Sequence, residues 1–335
     1  MAVTETAAAR PAAWKLWLRV IVSAALLAFL VSKIHLGTLL PEHPHLSTLF
    51  FFVAGIAMAG LGIVLSAWRW QRALVVFDAH VPLPTLVSHY FAGQFFGNVL
   101  PSTIGGDVLR VRWGAKTTGS GHVSFGSVVL ERLTGFVALP LLALLGFALR
   151  PSLLDEDHAW IAVVISAVTL VMLVVILYAA AHPRLAGRFR DHENWMRFVG
   201  AVHVGVDRLR RQPRLAAGVL GAAILYQAST VAVVYCAVRT LGVELPTAAV
   251  LAFAPAVAMA QVLPLSLSGL GVREGMLVIL LHPLGVSSGR AVAIGLLWYA
   301  MMLIVSLFGA PAFAVGHRHR PANDQPVNHR PADSP

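Results

Sequence analysis

The sequence predicts an all-α polytopic membrane protein, with about six full transmembrane helices and two re-entrant helical hairpins arranged as an inverted repeat. Three observations lead there. Apolar residues make up 58% of the 335-residue chain and charged residues 12%, with a mean hydropathy of +0.76; a soluble domain carries about 25% charged residues. Apolar stretches long enough for ~30 Å of hydrocarbon recur along the chain. One motif also occurs twice: Val81-Pro82-Leu83-Pro84-Thr85 returns as Val243-Glu244-Leu245-Pro246-Thr247. Pro101 and Pro264 follow at nearly equal distances, and each precedes an arginine, Arg110 or Arg273, by nine residues. Thr103, Ile104 and Gly106 match Ser266, Leu267 and Gly269. Two related halves, each with a Pro/Gly-broken helix ending in a cation, point to a transport or lipid-handling site between them.

The elements follow in order. Residues 1–14 read as a cytoplasmic segment. Residues 15–34 read as an uncleaved first span, with Lys15 and Arg19 at its start and no small-x-small cleavage site. Further spans are expected at 49–68, 122–149, 159–181, 214–238 and 290–315. Residues 85–109 and 247–284 hold the repeated motif. A single membrane domain therefore covers 15–316, with repeat one at about 15–149 and repeat two at about 159–315. The Pro-, His- and Arg-rich stretch 317–335 reads as a disordered cytoplasmic tail.

Charge sets the topology. Arg10, Lys15 and Arg19 place the N-terminus in the cytoplasm, and the 35–48 loop, which lacks Lys and Arg, lies outside. Arg69 and Arg72 return the chain to the cytoplasm, with Trp68 and Trp70 as interfacial anchors. Arg110, Arg112 and Lys116 also belong inside, so 85–109 enters from the cytoplasm and returns to it. The 182–214 loop carries eight arginines and is cytoplasmic, while 247–284 becomes a second hairpin entered from outside. A conventional eight-span arrangement is the alternative. The net charge of +10 is thus placed as the positive-inside rule requires, with a secondary role for the loop in holding anionic lipid headgroups. Nucleic acid is not an expected partner.

Irregular backbone at membrane depth requires protein or a wet cavity around it. Pro101, Gly105 and Gly106 break the first hairpin, and Pro264, Gly269 and Gly271 the second. Helices that begin after such turns aim free N–H groups at the membrane centre, where an anion is favoured. The plainer alternative is that Pro and Gly merely kink two spans. Asp107, Arg110, Glu131, Arg132, Arg273 and Glu274 all fall at membrane depth, where an unpaired charge is costly. Either they are structural ion pairs that pin the hairpins, or they line a polar cavity. In the second reading Arg110, Arg132 and Arg273 hold an anionic headgroup, while Asp107, Glu131 and Glu274 balance charge or carry protons. Gln94, Asn98, Ser102, Thr103, Gln261, Ser266 and Ser268 line that cavity or bond across helices. Gly93 and Gly97 permit close helix packing. Cys236 is the sole cysteine, and His89 and His282 lack partners at ligand spacing, so neither metal nor cofactor is expected.

Three stretches resemble one family: Gln94-Phe-Phe-Gly-Asn98-Val-Leu-Pro101-Ser-Thr-Ile-Gly-Gly-Asp107-Val-Leu-Arg110, Glu131-Arg132-Leu-Thr-Gly135, and Leu263-Pro264-Leu-Ser-Leu-Ser-Gly269-Leu-Gly-Val-Arg273-Glu274-Gly275. They are similar to the lysylphosphatidylglycerol synthase transmembrane region, or flippase-like domain, over about residues 15–316. In its two-domain members this region is thought to flip aminoacylated phosphatidylglycerol, while a soluble domain attaches the amino acid. The chain stops after the membrane region, so the resemblance implies the flippase-like part without aminoacyl transfer. Some stand-alone members are associated with polyprenyl-linked sugar pathways. The expectation is a lipid flippase or transporter of the plasma membrane, with both termini cytoplasmic, moving an anionic phospholipid or polyprenyl-linked lipid. The alternatives are a membrane-embedded transferase acting on polyprenyl phosphate, and a scaffold that partners a glycosyltransferase or other lipid-modifying enzyme.

Overall fold

The structure, a computed structural model, describes residues 46–99, 105–181, 193–262 and 269–312. The expected first span at 15–34, both termini and the two hairpin tips lie outside these residues, and with them Pro101, Ser102, Thr103, Pro264, Ser266 and Ser268. Among the described residues the secondary structure is helical throughout. In order the helices are α1 (Leu46–Val76), α2 (Leu83–Val99), α3 (Gly105–Thr118), α4 (Gly121–Leu149), α5 (Ala159–Ala181), α6 (Glu193–Arg211), α7 (Pro213–Thr240), α8 (Thr247–Ala260), α9 (Val272–Leu281) and α10 (Ser288–Leu307).

Five of them, α1, α4, α5, α7 and α10, are long and apolar enough to cross a membrane. Local chemistry fixes the starts of α4, α7 and α10. Ser120 caps α4 by accepting from the Val123 N–H, and Ser287 caps α10 by accepting from the Arg290 N–H. Pro213 opens α7, where a missing N–H costs nothing. The central element is α4, with 67% of its apolar window buried against 22% for α1 and α5. The most extensive helix pairs are α1 with α7 and α4 with α8. The main core runs between these helices, α9 and α10, through residues such as Ile63, Leu139, Val234, Phe253, Leu280 and Ile294.

The two motif-bearing segments are each split into a pair of shorter helices. The first pair has 17 and 14 residues and the second 14 and 10. At 1.5 Å per residue none exceeds about 26 Å. In the first pair, Gly93 faces Gly106: a Cβ on Gly106 would lie 2.5 Å from the Gly93 carbonyl oxygen. Gly105 and Gly106 stand at the first two positions of α3, and at Gly106 the absence of a Cβ permits the close helix contact. Gly269 and Gly271 do interrupt helix, with φ of 75° and 85°, a conformation that disfavours other residues.

Candidate functional site

Four helices converge on one buried carboxylate. Glu131, from the middle of α4, is fully buried, and Arg69 of α1 and Arg110 of α3 are 5% and 4% exposed. Arg69 donates to Glu131 Oε1 from Nε at 3.2 Å and from Nη2 at 2.6 Å. The Tyr90 hydroxyl of α2 donates to the same oxygen at 3.2 Å. Arg110 Nη2 donates to the other oxygen, Oε2. Glycines make the room: a Cβ on Gly135 would sit 3.1 Å from Arg69 Nη1, and one on Gly93 would sit 3.0 Å from Arg110 Cγ.

Aromatic faces complete the enclosure. The Arg110 guanidinium lies 4.0 Å from the centre of the Tyr90 ring and 4.5 Å from that of Trp70. Arg69 lies 4.6 Å from the Tyr226 ring of α7. Such stacking stabilises a desolvated cation by about 2 kcal/mol. Trp70 is held in turn by its indole N–H, which donates to Ser127 Oγ at 2.9 Å. Arg110 Nε is buried and has no hydrogen-bond partner among the described residues.

The charges continue outward. Arg110 Nη1 reaches Asp107 Oδ1 at 3.3 Å, one helical turn away, and Asp107 Oδ2 pairs with Arg132. The Arg132 side chain is 49% exposed and that of Asp107 20%. Arg132, Asp107, Arg110, Glu131 and Arg69 therefore form a ladder of alternating charge from the surface to a fully buried position. Glu131 faces the interior, as the sequence suggests. Arg132 does not, because one residue further on rotates the side chain about 100° around α4.

Arg273 and Glu274 at the start of α9 form a second buried group, 3% and 0% exposed. Glu274 Oε1 accepts from Arg273 Nε at 3.0 Å and Nη2 at 2.6 Å, while Oε2 accepts from the Gly271 N–H at 2.6 Å. Arg273 also lies 5.0 Å from the Tyr299 ring centre and 5.7 Å from that of Trp298. Arg273, like Arg110, thus lies near a Tyr ring and a Trp ring and against a carboxylate. No ion pair joins the two groups among the described residues.

Of the expected cavity residues, Gln94 lines a narrow void of about 10 Å³ with Tyr90, Ser66, Tyr226, Ser229 and Thr230, room for about one water. Asn98 buries its Nδ2 without a partner among the described residues. Gln261 donates to Val257 of its own helix at 3.3 Å and fills the space beside Gly269. No group of residues suited to a metal occurs among those described.

Sequence reasoning missed Arg69, Trp70, Tyr90 and Tyr226. Arg69 reads as a cytoplasmic marker and Trp70 as an interfacial anchor, yet both are buried, Trp70 completely. The available signal was the row of small residues Ala59, Gly62 and Ser66, which marks a protein-facing stripe of α1 leading to Arg69.

A family model described as the lysylphosphatidylglycerol synthase TM region matches residues 16–309. A UPF0104 membrane protein of Pyrococcus horikoshii is 24% identical over 130 residues, 38% of this chain and 38% of that protein. The matched stretch therefore spans well under half the length of that relative.

Proposed function

The chain belongs to the lysylphosphatidylglycerol synthase transmembrane-region family, and from that membership we propose that this multi-pass membrane protein moves an anionic lipid between leaflets. The observation that carries the proposal is the charge imbalance of the first cluster. Among the described residues Arg69, Arg110 and Arg132 face only Glu131 and Asp107, which leaves one cation in excess, with Arg69 and Arg110 buried. Buried charge is tolerated when paired, and a lipid phosphate supplies the missing anion. Arg110 offers its buried Nε for it. The headgroup enters at the half-exposed Arg132 and displaces Asp107 from Arg110. Glu131 acts as the fixed counter-charge, since both of its oxygens are occupied by guanidinium donors.

The short helix pairs α2–α3 and α8–α9 are re-entrant hairpins in this reading, and the halves are an inverted repeat. Arg110 and Arg273 then serve opposite faces of one route in the plasma membrane, with both termini cytoplasmic. Purified protein in liposomes tests the proposal through leaflet exchange of labelled phosphatidylglycerol. Exchange without chemical change is expected, abolished by Arg110→Ala and partly retained by Arg110→Lys, which keeps the charge but loses the planar fork. A new lipid product would establish the transferase reading instead. Full activity in Arg110→Ala would leave Arg110 a structural ion-pair partner.

A further inference from the structure

We infer that Arg72 and Arg214 form a docking site for the phosphodiester headgroup of an anionic membrane lipid, separate from the buried cluster. Two surface cavities meet at Arg72, one turn before the end of α1. The larger, about 530 Å³, is bordered by Arg72, Gln212, Arg214, Leu215 and Gly218. The smaller, about 400 Å³, is bordered by Arg72, Val75, His80 and Val81. Arg72 is thus reachable from both sides, and its guanidinium rests 5.4 Å from the centre of the Trp68 ring.

The local charge balance identifies the ligand as an anion. Among the described residues two carboxylates lie near the C-terminal ends of α1 and α6, and both are engaged. Asp78 Oδ2 pairs with Arg208 Nη1 at 2.6 Å, and Asp207 pairs with Arg211 at 3.0 Å. Arg208 Nη1 also donates to the Val76 carbonyl at 2.7 Å, which ties α6 to the end of α1. Arg72 and Arg214 form no ion pair with a described residue. Both border the larger cavity, as does Gln212, and guanidinium groups are donors of the kind that grips phosphate oxygens.

The walls identify the anion as a lipid. Leu215 and Gly218 belong to the first turns of α7, a candidate membrane span. Val75 lies on α1, another such span. A free phosphate has no use for this apolar flank, whereas an acyl chain does. Arg69 of the buried cluster is three residues from Arg72, about 4.5 Å along the helix axis. A headgroup docked here sits one turn outward of the cluster. Binding at this place does not depend on transport.

The test uses the full chain in nanodiscs of phosphatidylcholine and phosphatidylglycerol in equal parts. Lipids retained after gentle release are counted by native mass spectrometry. Wild type is expected to retain phosphatidylglycerol preferentially, and the double variant Arg72→Gln/Arg214→Gln to lose roughly tenfold or more of that preference. Arg150→Gln removes one charge past the far end of α4, about 44 Å along that helix, and should change nothing. A photoreactive phosphatidylglycerol is expected to label the peptide holding Gln212 and Leu215. Undiminished preference in the double variant, or labelling confined to other peptides, overturns the site. Displacement of the lipid by inorganic phosphate alone would show a general phosphate site and overturn the lipid assignment. If wild type exchanges no lipid between leaflets yet keeps this preference, the transport proposal fails and the docking site stands.

Discussion

At the residue scale, Arg110 and Arg273 occupy equivalent places in the repeated motif but differ in their surroundings. Among the described residues Arg110 shares Glu131 with Arg69 and leaves Nε unpaired, whereas Arg273 is matched one to one by Glu274. Removing one member of a buried pair strands the other, at a cost of about 3–5 kcal/mol, while replacing both with apolar residues is often neutral. Arg273→Ala should therefore lower the unfolding temperature in detergent and abolish lipid exchange. The double variant Arg273→Met/Glu274→Met should recover thermal stability. If it also recovers exchange, Arg273 is structural and takes no part in passing a phosphate across the membrane.

At the element scale, the α2–α3 pair depends on backbone contact through glycine. A Cβ on Gly106 would meet the Gly93 carbonyl at 2.5 Å, and backbone cannot yield as a side chain tip does. Gly97 faces the same helix, but its Cβ would meet Gly106 only at 3.9 Å, an ordinary contact. Gly106→Ala should thus destabilise the protein by about 1–3 kcal/mol through overpacking, whereas Gly97→Ala should be near neutral. Thermal melting of the two variants in the same detergent checks this contrast. Equal melting temperatures would mean that the two helices do not pack through Gly106. Because Arg110 lies one turn after Gly106 and against Gly93, Gly106→Ala should also weaken lipid exchange, linking the packing to the site.

At the scale of the whole molecule, the proposed inverted repeat places the ends of the two short helix pairs on opposite membrane faces. Thr117 near the end of α3 should be cytoplasmic and Val286 after α9 external. Single cysteines at these positions, in a Cys236→Ser background, report this through impermeant thiol reagents applied to intact cells and to inverted vesicles. A cysteine at 117 labelled only from outside, or one at 286 labelled only from inside, would exclude the double hairpin. The charge rule that predicts this topology counts Arg69 as a cytoplasmic marker. Its burial against Glu131 removes it from that count and leaves Arg72 to carry the assignment for the end of α1.

By itself the sequence determined the all-helical membrane class and, to within two residues, the extents of α4, α5 and α7, while α1 (Leu46–Val76) runs well beyond the expected 49–68 and α10 (Ser288–Leu307) ends before the expected 315. These follow from local chemistry: apolar length, Pro and Gly, and the Ser or Pro at a helix start. It also selected Asp107, Arg110, Glu131, Arg132, Arg273 and Glu274, because charge within apolar sequence is conspicuous wherever it points. Only the tertiary structure decided their partners. Glu131 meets Arg69 across 62 residues of chain, and its other partners come from α2 and α3. The same packing turned Trp70 from an expected interfacial anchor into a wall beside Arg110, together with Tyr90, which the sequence did not single out. Hydropathy along a chain reports how costly a charge is at a given depth. The neighbour that relieves that cost depends on which helices pack together and on the rotation of each about its axis, and neither is written in local sequence.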